Sequence, residues 1–220
     1  MDTDRLVDAL VDELEPVQPL GAPWLRVACW LAVSLRATPL IVWAMGLRPD
    51  LPDKLDQGMF LAQQVAMLAT ALSGAWAALS ATIPGTGRWR TWLPTVPLLL
   101  WLCLLAIQLG LEWPRSGSLT AHFGLDLECI PGIALTGLAP LVTIVALLRS
   151  GSAHWRGRAV FWGTLASAAL ANAGLRLFHP VDAALMVVVW QFGTVVALAG
   201  LAALARNLLV PPQSLATAQS

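Results

Sequence analysis

The chain has 220 residues, of which 57% are hydrophobic and only 12% charged, with a mean hydropathy of +0.70. That composition excludes an ordinary soluble domain and a charged disordered chain. Thirteen basic and thirteen acidic residues cancel, so net charge says nothing about partners and the distribution of the charges carries the information.

The first fifteen residues are acidic and lack the apolar core of a cleavable signal peptide. On a helix turning by about 100° per residue, Leu6, Val7, Leu10, Val11 and Leu14 fall within an arc of about 140°. Asp4, Arg5, Asp8, Asp12 and Glu15 cover the rest of the circumference, and Pro16 closes the segment. Pro19, Gly21 and Pro23 then make a short irregular link. A helix this short is marginal alone in water and gains order by laying its stripe in a groove. A membrane-surface helix carries Lys and Arg on its polar face to meet anionic lipid; this one carries acids. The stripe therefore reads as a protein-docking element for a basic partner, with Asp8 and Asp12 flanking it. A solvated juxtamembrane tail and a helix folded on its own bundle are the alternatives.

Six apolar stretches follow, over residues 25–46, 59–83, 92–111, 129–148, 159–177 and 183–205, each near the ~20 residues that cross a bilayer. Pro and Gly punctuate them: Arg48-Pro49-Asp50, Pro84-Gly85, Trp113-Pro114, Arg149-Ser150-Gly151 and His179-Pro180. Many of the eleven Trp lie near span ends (Trp24, Trp43, Trp89, Trp92, Trp113, Trp155), where amphipathic rings favour the headgroup region. The loops at 84–91 and 149–158 carry Arg88, Arg90, Arg149, Arg156 and Arg158 and no acid, and Arg206 follows the last span. The opposite loops hold Asp50, Asp53, Asp56, Glu112, Asp126, Glu128 and Asp182, with Arg48, Lys54 and Arg115 among them. Basic loops stay cytoplasmic, so six spans place both termini in the cytoplasm.

Polar residues interrupt the spans. Arg36 lies near the middle of the first and Arg176 near the end of the fifth; Gln63, Gln64, Gln108, Asn172 and Gln191 are amides in apolar surroundings. A charge within the membrane is costly and tends to face protein or water. The expectation is that the amides bridge helices, that Arg176 snorkels outward and that Pro39 permits a local break beside Arg36. Ala71/Ala75, Gly74/Ala78 and Gly200/Ala204 are small-residue pairs that suggest close helix packing. No span holds an acid, so a proton or cation path lacks its usual carboxylates.

The sequence has no metal-ligand pair at helical spacing, no phosphate loop and no clustered nucleophile and base, so no enzymatic activity and no cofactor are expected. His154 sits in a basic loop without a nearby acid. The two halves show no convincing repeat, which counts against a transporter.

Several residues in order carry a resemblance to a known family: Asp4-x-Leu6 through Leu10 to Glu15-Pro16-Val17, Gly46-x-Arg48-Pro49-Asp50-Leu51, Pro84-Gly85, Cys129-x-Pro131, Leu148-Arg149-x-Gly151, His179-Pro180-x-Asp182 and Val189-Trp190. Almost the whole chain resembles the NrsF family, negative regulators of an extracytoplasmic-function sigma factor. The resemblance implies that a cytoplasmic N-terminal segment sequesters the sigma factor at the inner membrane, and that the bundle senses an outside stress and releases it. It also implies a sensor of two outward-facing cysteines. Cys129 keeps the first position and His179 stands at the second, so these two cannot form a disulfide. With Cys29 and Cys103 they leave an odd number of cysteines, which excludes a full set of internal bridges. Cys129 and His179 are suitable zinc or copper ligands, which Glu128, Asp182, Asp126 and His122 could complete. A buried Cys acting as a small apolar residue and an ordinary His-Pro turn are the plainer alternative, and titration of His179 a third.

The sequence thus predicts an all-α protein: a cytoplasmic sigma-binding segment (1–23), a six-helix transmembrane domain (24–206) and a cytoplasmic C-terminal tail (207–220). The expected function is that of an anti-sigma factor in the bacterial inner membrane, with the sigma factor and the lipid bilayer as partners and no direct contact with nucleic acid. A small polytopic transporter or channel is the alternative.

Overall fold

The structure is a computed structural model and describes residues 3, 7, 11, 20–83, 85–116, 129–151, 156–179 and 193–209. All regular elements among these residues are helical: α1 (Pro23–Met45), α2 (Leu51–Leu55), α3 (Gly58–Ser80), a 3-10 turn (Arg88–Thr91), α4 (Thr95–Ser116), α5 (Cys129–Arg149), α6 (Arg156–Leu175), α7 (Gly193–Leu204) and α8 (Arg206–Leu209). Thr3, Val7 and Val11 are also helical. The long helices coincide with the apolar stretches to within a few residues, and the described part of α7 falls inside the last stretch. One boundary differs in a consequential way: α4 continues past its expected end and carries Glu112 on the same helix as Gln108.

Among the described residues, three segments are long and apolar enough to cross a membrane, where the sequence led one to expect six: Pro23–Met45, Gly58–Ser80 and Arg88–Glu112. The reason α6 does not join them lies in its composition. It begins with Arg156 and Arg158 and is rich in Ala, Gly, Ser and Thr, with Asn172 near its end. Those small side chains suit a helix surrounded by others. Residues 162–175 of α6 are all buried, and α6 packs against α1, α3, α5, α7 and α8. Backbones come close here. A Cβ on Gly74 of α3 would meet the Ala166 Cβ at 3.1 Å and the Trp162 carbonyl at 3.2 Å. A Cβ on Gly174 would lie 2.6 Å from Thr38 of α1. The small pairs in α3 are thus packing positions, whereas a Cβ on Gly200 meets nothing within 4 Å.

In α1 the inward stripe is Arg26, Trp30, Ser34, Thr38 and Val42, spaced by four as a helix face requires. Trp30 is fully buried and its Nε1 donates to the Pro140 carbonyl of α5 at 3.0 Å. Pro39 is accommodated without ending the helix. Trp24, Trp43, Trp89 and Trp92 are exposed, as end-of-span positions lead one to expect; the Trp113 side chain and Trp155 lie outside the described residues.

Candidate functional site

Successive long helices run in opposite directions, so the described charges gather at two ends. At one end α1 begins and α3 and α5 finish. Arg26 is buried there, and its guanidinium donates to Thr82 Oγ1 at 2.8 Å, to the Leu79 carbonyl at 3.5 Å and to the Leu147 carbonyl. A cation at the carbonyl ends of two helices meets the negative ends of their dipoles. Arg158 stacks over Trp92 at 5.5 Å, and the Arg149 Nε donates to the Leu209 carbonyl at 2.6 Å. Arg88 and Arg90 of the 3-10 turn belong to the same basic end.

At the opposite end α1, α4 and α6 finish and α3 begins. The buried Arg48 guanidinium grips both carboxylate oxygens of Asp50, at 2.6 and 2.8 Å, and donates to the Arg176 carbonyl at 3.5 Å. Its backbone N–H reaches the Leu177 carbonyl at 3.1 Å. Hydrogen bonding from Arg48 holds the Asp50 carboxyl below the usual carboxylate range. Arg176 is buried, against the expectation that it snorkels outward: the end of α6 is enclosed and offers it no path to solvent. It donates instead to Gln63 Oε1 at 2.6 Å and lies 4.7 Å above the Phe60 ring. Gln63 Nε2 donates to Gln108 Oε1 at 2.6 Å, and Gln108 Nε2 donates to Glu112 Oε1 at 2.6 Å. Cation and carboxylate are therefore joined through two amides whose dipoles all point the same way. Such aligned bonds polarise one another, and these tie α3, α4 and α6 together.

Arg36 is exposed on the side of α1 opposite the buried stripe, and α1 runs on unbroken through Pro39, so among the described residues this charge does not face the helices on which α1 packs.

Of the tail residues, Val7 and Val11 are helical and exposed. Their spacing of four puts them on one face. Leu6, Asp8, Leu10, Asp12 and Leu14 lie outside the described residues. Cys129 opens α5, its side chain outside the described set; His179 is half-buried just past α6, its N–H bonded to the Leu175 carbonyl at 2.8 Å. Helices α5 and α6 are antiparallel. Gly137 faces Ala171, and Ile144 and Leu148 face Gly163, so the start of α5 and the end of α6 lie at the acidic end. His122, Asp126, Glu128 and Asp182 fall outside the described residues. Among the described residues no group of three His, Cys, Asp or Glu could hold a metal ion, and Cys29 and Cys103 are free thiols.

Sequence reasoning singled out Gln63, Gln108 and Arg176 as polar residues in apolar stretches, and missed that they join one another and Glu112. It passed over Arg26, for which the available signal was an arginine within the first turn of a span.

The described residues define a helical protein whose long apolar helices allow membrane association, held by polar links at both ends. The chain belongs to the NrsF family, negative regulator of sigma F, which matches residues 10–210. The match takes in Leu10, Val11, Asp12 and Leu14 as well as Cys129 and His179, and begins after Leu6, Val7 and Asp8. No curated protein and no solved structure matches the chain.

Proposed function

We propose that this chain is a six-span inner-membrane anti-sigma factor that holds an extracytoplasmic-function sigma factor through residues 1–23 and releases it when the envelope side is stressed. The observation that carries the reading is family membership over nearly the whole chain, in a chain whose one polar segment before the helices bears an acidic, amphipathic pattern. The role is regulatory and not catalytic. The basic end faces the cytoplasm, which agrees with the bias of Lys and Arg toward that side. Release begins at the acidic end, where α5 starts and α6 finishes.

The test is binding of residues 1–23, and of the full-length chain in membranes, to candidate sigma factors. Each Leu of the stripe that is buried in a groove contributes about 1.5–3 kcal/mol. Leu10→Asp places a charge in an apolar contact and costs more. The expected phenotype is a sigma regulon switched on without stress while the chain stays inserted at normal abundance. Equal binding of wild-type and Leu10→Asp tails would refute the stripe as the docking surface. For the sensor, Cys129→Ala and His179→Ala should each blunt induction while the tail still binds. Two single variants that respond normally would reduce both residues to packing roles.

A further inference from the structure

Helix α1 presents two opposite faces. The inward stripe of Arg26, Trp30, Ser34, Thr38 and Val42 is buried. Ala28, Ala32, Arg36 and Leu40 lie half a turn away and are exposed. Arg36 thus points directly away from the helices on which α1 packs. Its neighbours on that side, Val33, Leu35 and Leu40, are exposed and apolar. Among the described residues Arg36 meets no hydrogen-bond or ion-pair partner.

Depth makes this position costly in a bilayer. Arg36 follows the first residue of the 23-residue helix by about 20 Å and precedes the last by about 14 Å. Snorkelling to headgroups serves residues near helix ends, and Arg36 is near neither. A guanidinium so placed needs a partner at its own depth. A second copy of this chain does not supply one. A two-fold interface is self-complementary, so pairing on this face would set Arg36 against Arg36. The complementary group is a carboxylate on a foreign helix, held in low dielectric where the attraction is strong. One and two turns before Arg36, Ala32 and Ala28 leave a shallow track in which another backbone can come close.

We infer that the outward face of α1, centred on Arg36, is a docking site for a transmembrane helix of a different protein that carries an Asp or Glu near its midpoint. This inference rests on the reading of α1 as a membrane span, and names a route by which a second membrane protein acts on the helix that leads directly into the tail.

The experiment uses the full-length chain in bacterial inner membranes with a photoreactive phenylalanine derivative replacing Ala32. The probe is a co-expressed polyleucine host helix with one Asp at its midpoint; an all-leucine host is the control. The expected result is a crosslink to the Asp host and not to the leucine host, reduced about tenfold or more by Arg36→Leu and largely retained by Arg36→Lys. Equal crosslinking of both hosts, an undiminished product with Arg36→Leu, adducts to lipid alone, or a product that is a second copy of the chain would each overturn it. Should Arg36→Leu fail to insert, the comparison of the two hosts on the wild-type chain still decides. Carbonate extraction reads the membrane span separately. A chain released by carbonate refutes the span itself, whereas a resistant chain that ignores the Asp host refutes only the docking site.

Discussion

Gln63 sits between two partners. Its carbonyl accepts from Arg176 and its amide donates to Gln108. Losing two such hydrogen bonds, one of them to a charged group, costs about 1–3 kcal/mol. In lipid the lower end applies, because the unfolded state also finds partners there. Gln63→Leu should therefore lower the unfolding free energy by more than Gln64→Leu does. The latter loses one bond to the Ala173 carbonyl, and it removes a buried Oε1 that meets no partner among the described residues. Denaturation of the two purified variants in detergent, followed by circular dichroism, makes the comparison. Equal losses would mean that the aligned amides add no strength. Arg26 and Arg48 illustrate a different economy. Arg26 draws on the Thr82 hydroxyl and two carbonyls at helix ends, with its buried Nε meeting no partner among the described residues, and Arg48 draws mainly on the neighbouring Asp50 carboxylate.

Among the elements, α6 is the one whose role was least legible. Its stretch, residues 159–177, reads as one more span, and a linear pattern does not say which helices pack around it. The small pairs in α3 were legible as packing positions, yet Gly200 of α7 carries the same signature and a Cβ there would meet nothing within 4 Å. The difference lies in what faces each glycine, and a linear pattern cannot supply that. A paired prediction follows. Gly74→Leu drives a side chain into Ala166 and the Trp162 carbonyl and should cost about 1–3 kcal/mol or more by overpacking. Gly200→Ala adds a methyl in open space and should stabilise its helix by up to about 1 kcal/mol. The same detergent denaturation measures both. A harmless Gly74→Leu would mean that α3 and α6 do not approach as described.

For the molecule as a whole, the sorting of charge into two ends predicts a topology. Reporter fusions after Arg88 and Ser150 should read cytoplasmic, and fusions after Asp53 and Ser118 periplasmic. A reversed pattern at any two sites would sink the orientation and the cytoplasmic tail with it. The apolar stretches and the Arg bias behind this prediction were readable in the sequence, because they are local properties that no folding is needed to express. The polar link from Arg176 to Glu112 was not. It depends on the register of three helices brought together from residues 45 and 113 apart in sequence. Which side of α1 Arg36 occupies was likewise not legible from its place in the stretch, because that depends on which face of α1 the other helices cover. The crowded position of α6 also sets an order of assembly. It is the fifth long helix to leave the ribosome, yet α1, α3 and α5 all rest on it. During synthesis α3 and α5 lack their most extensive packing partner until the last third of the chain arrives.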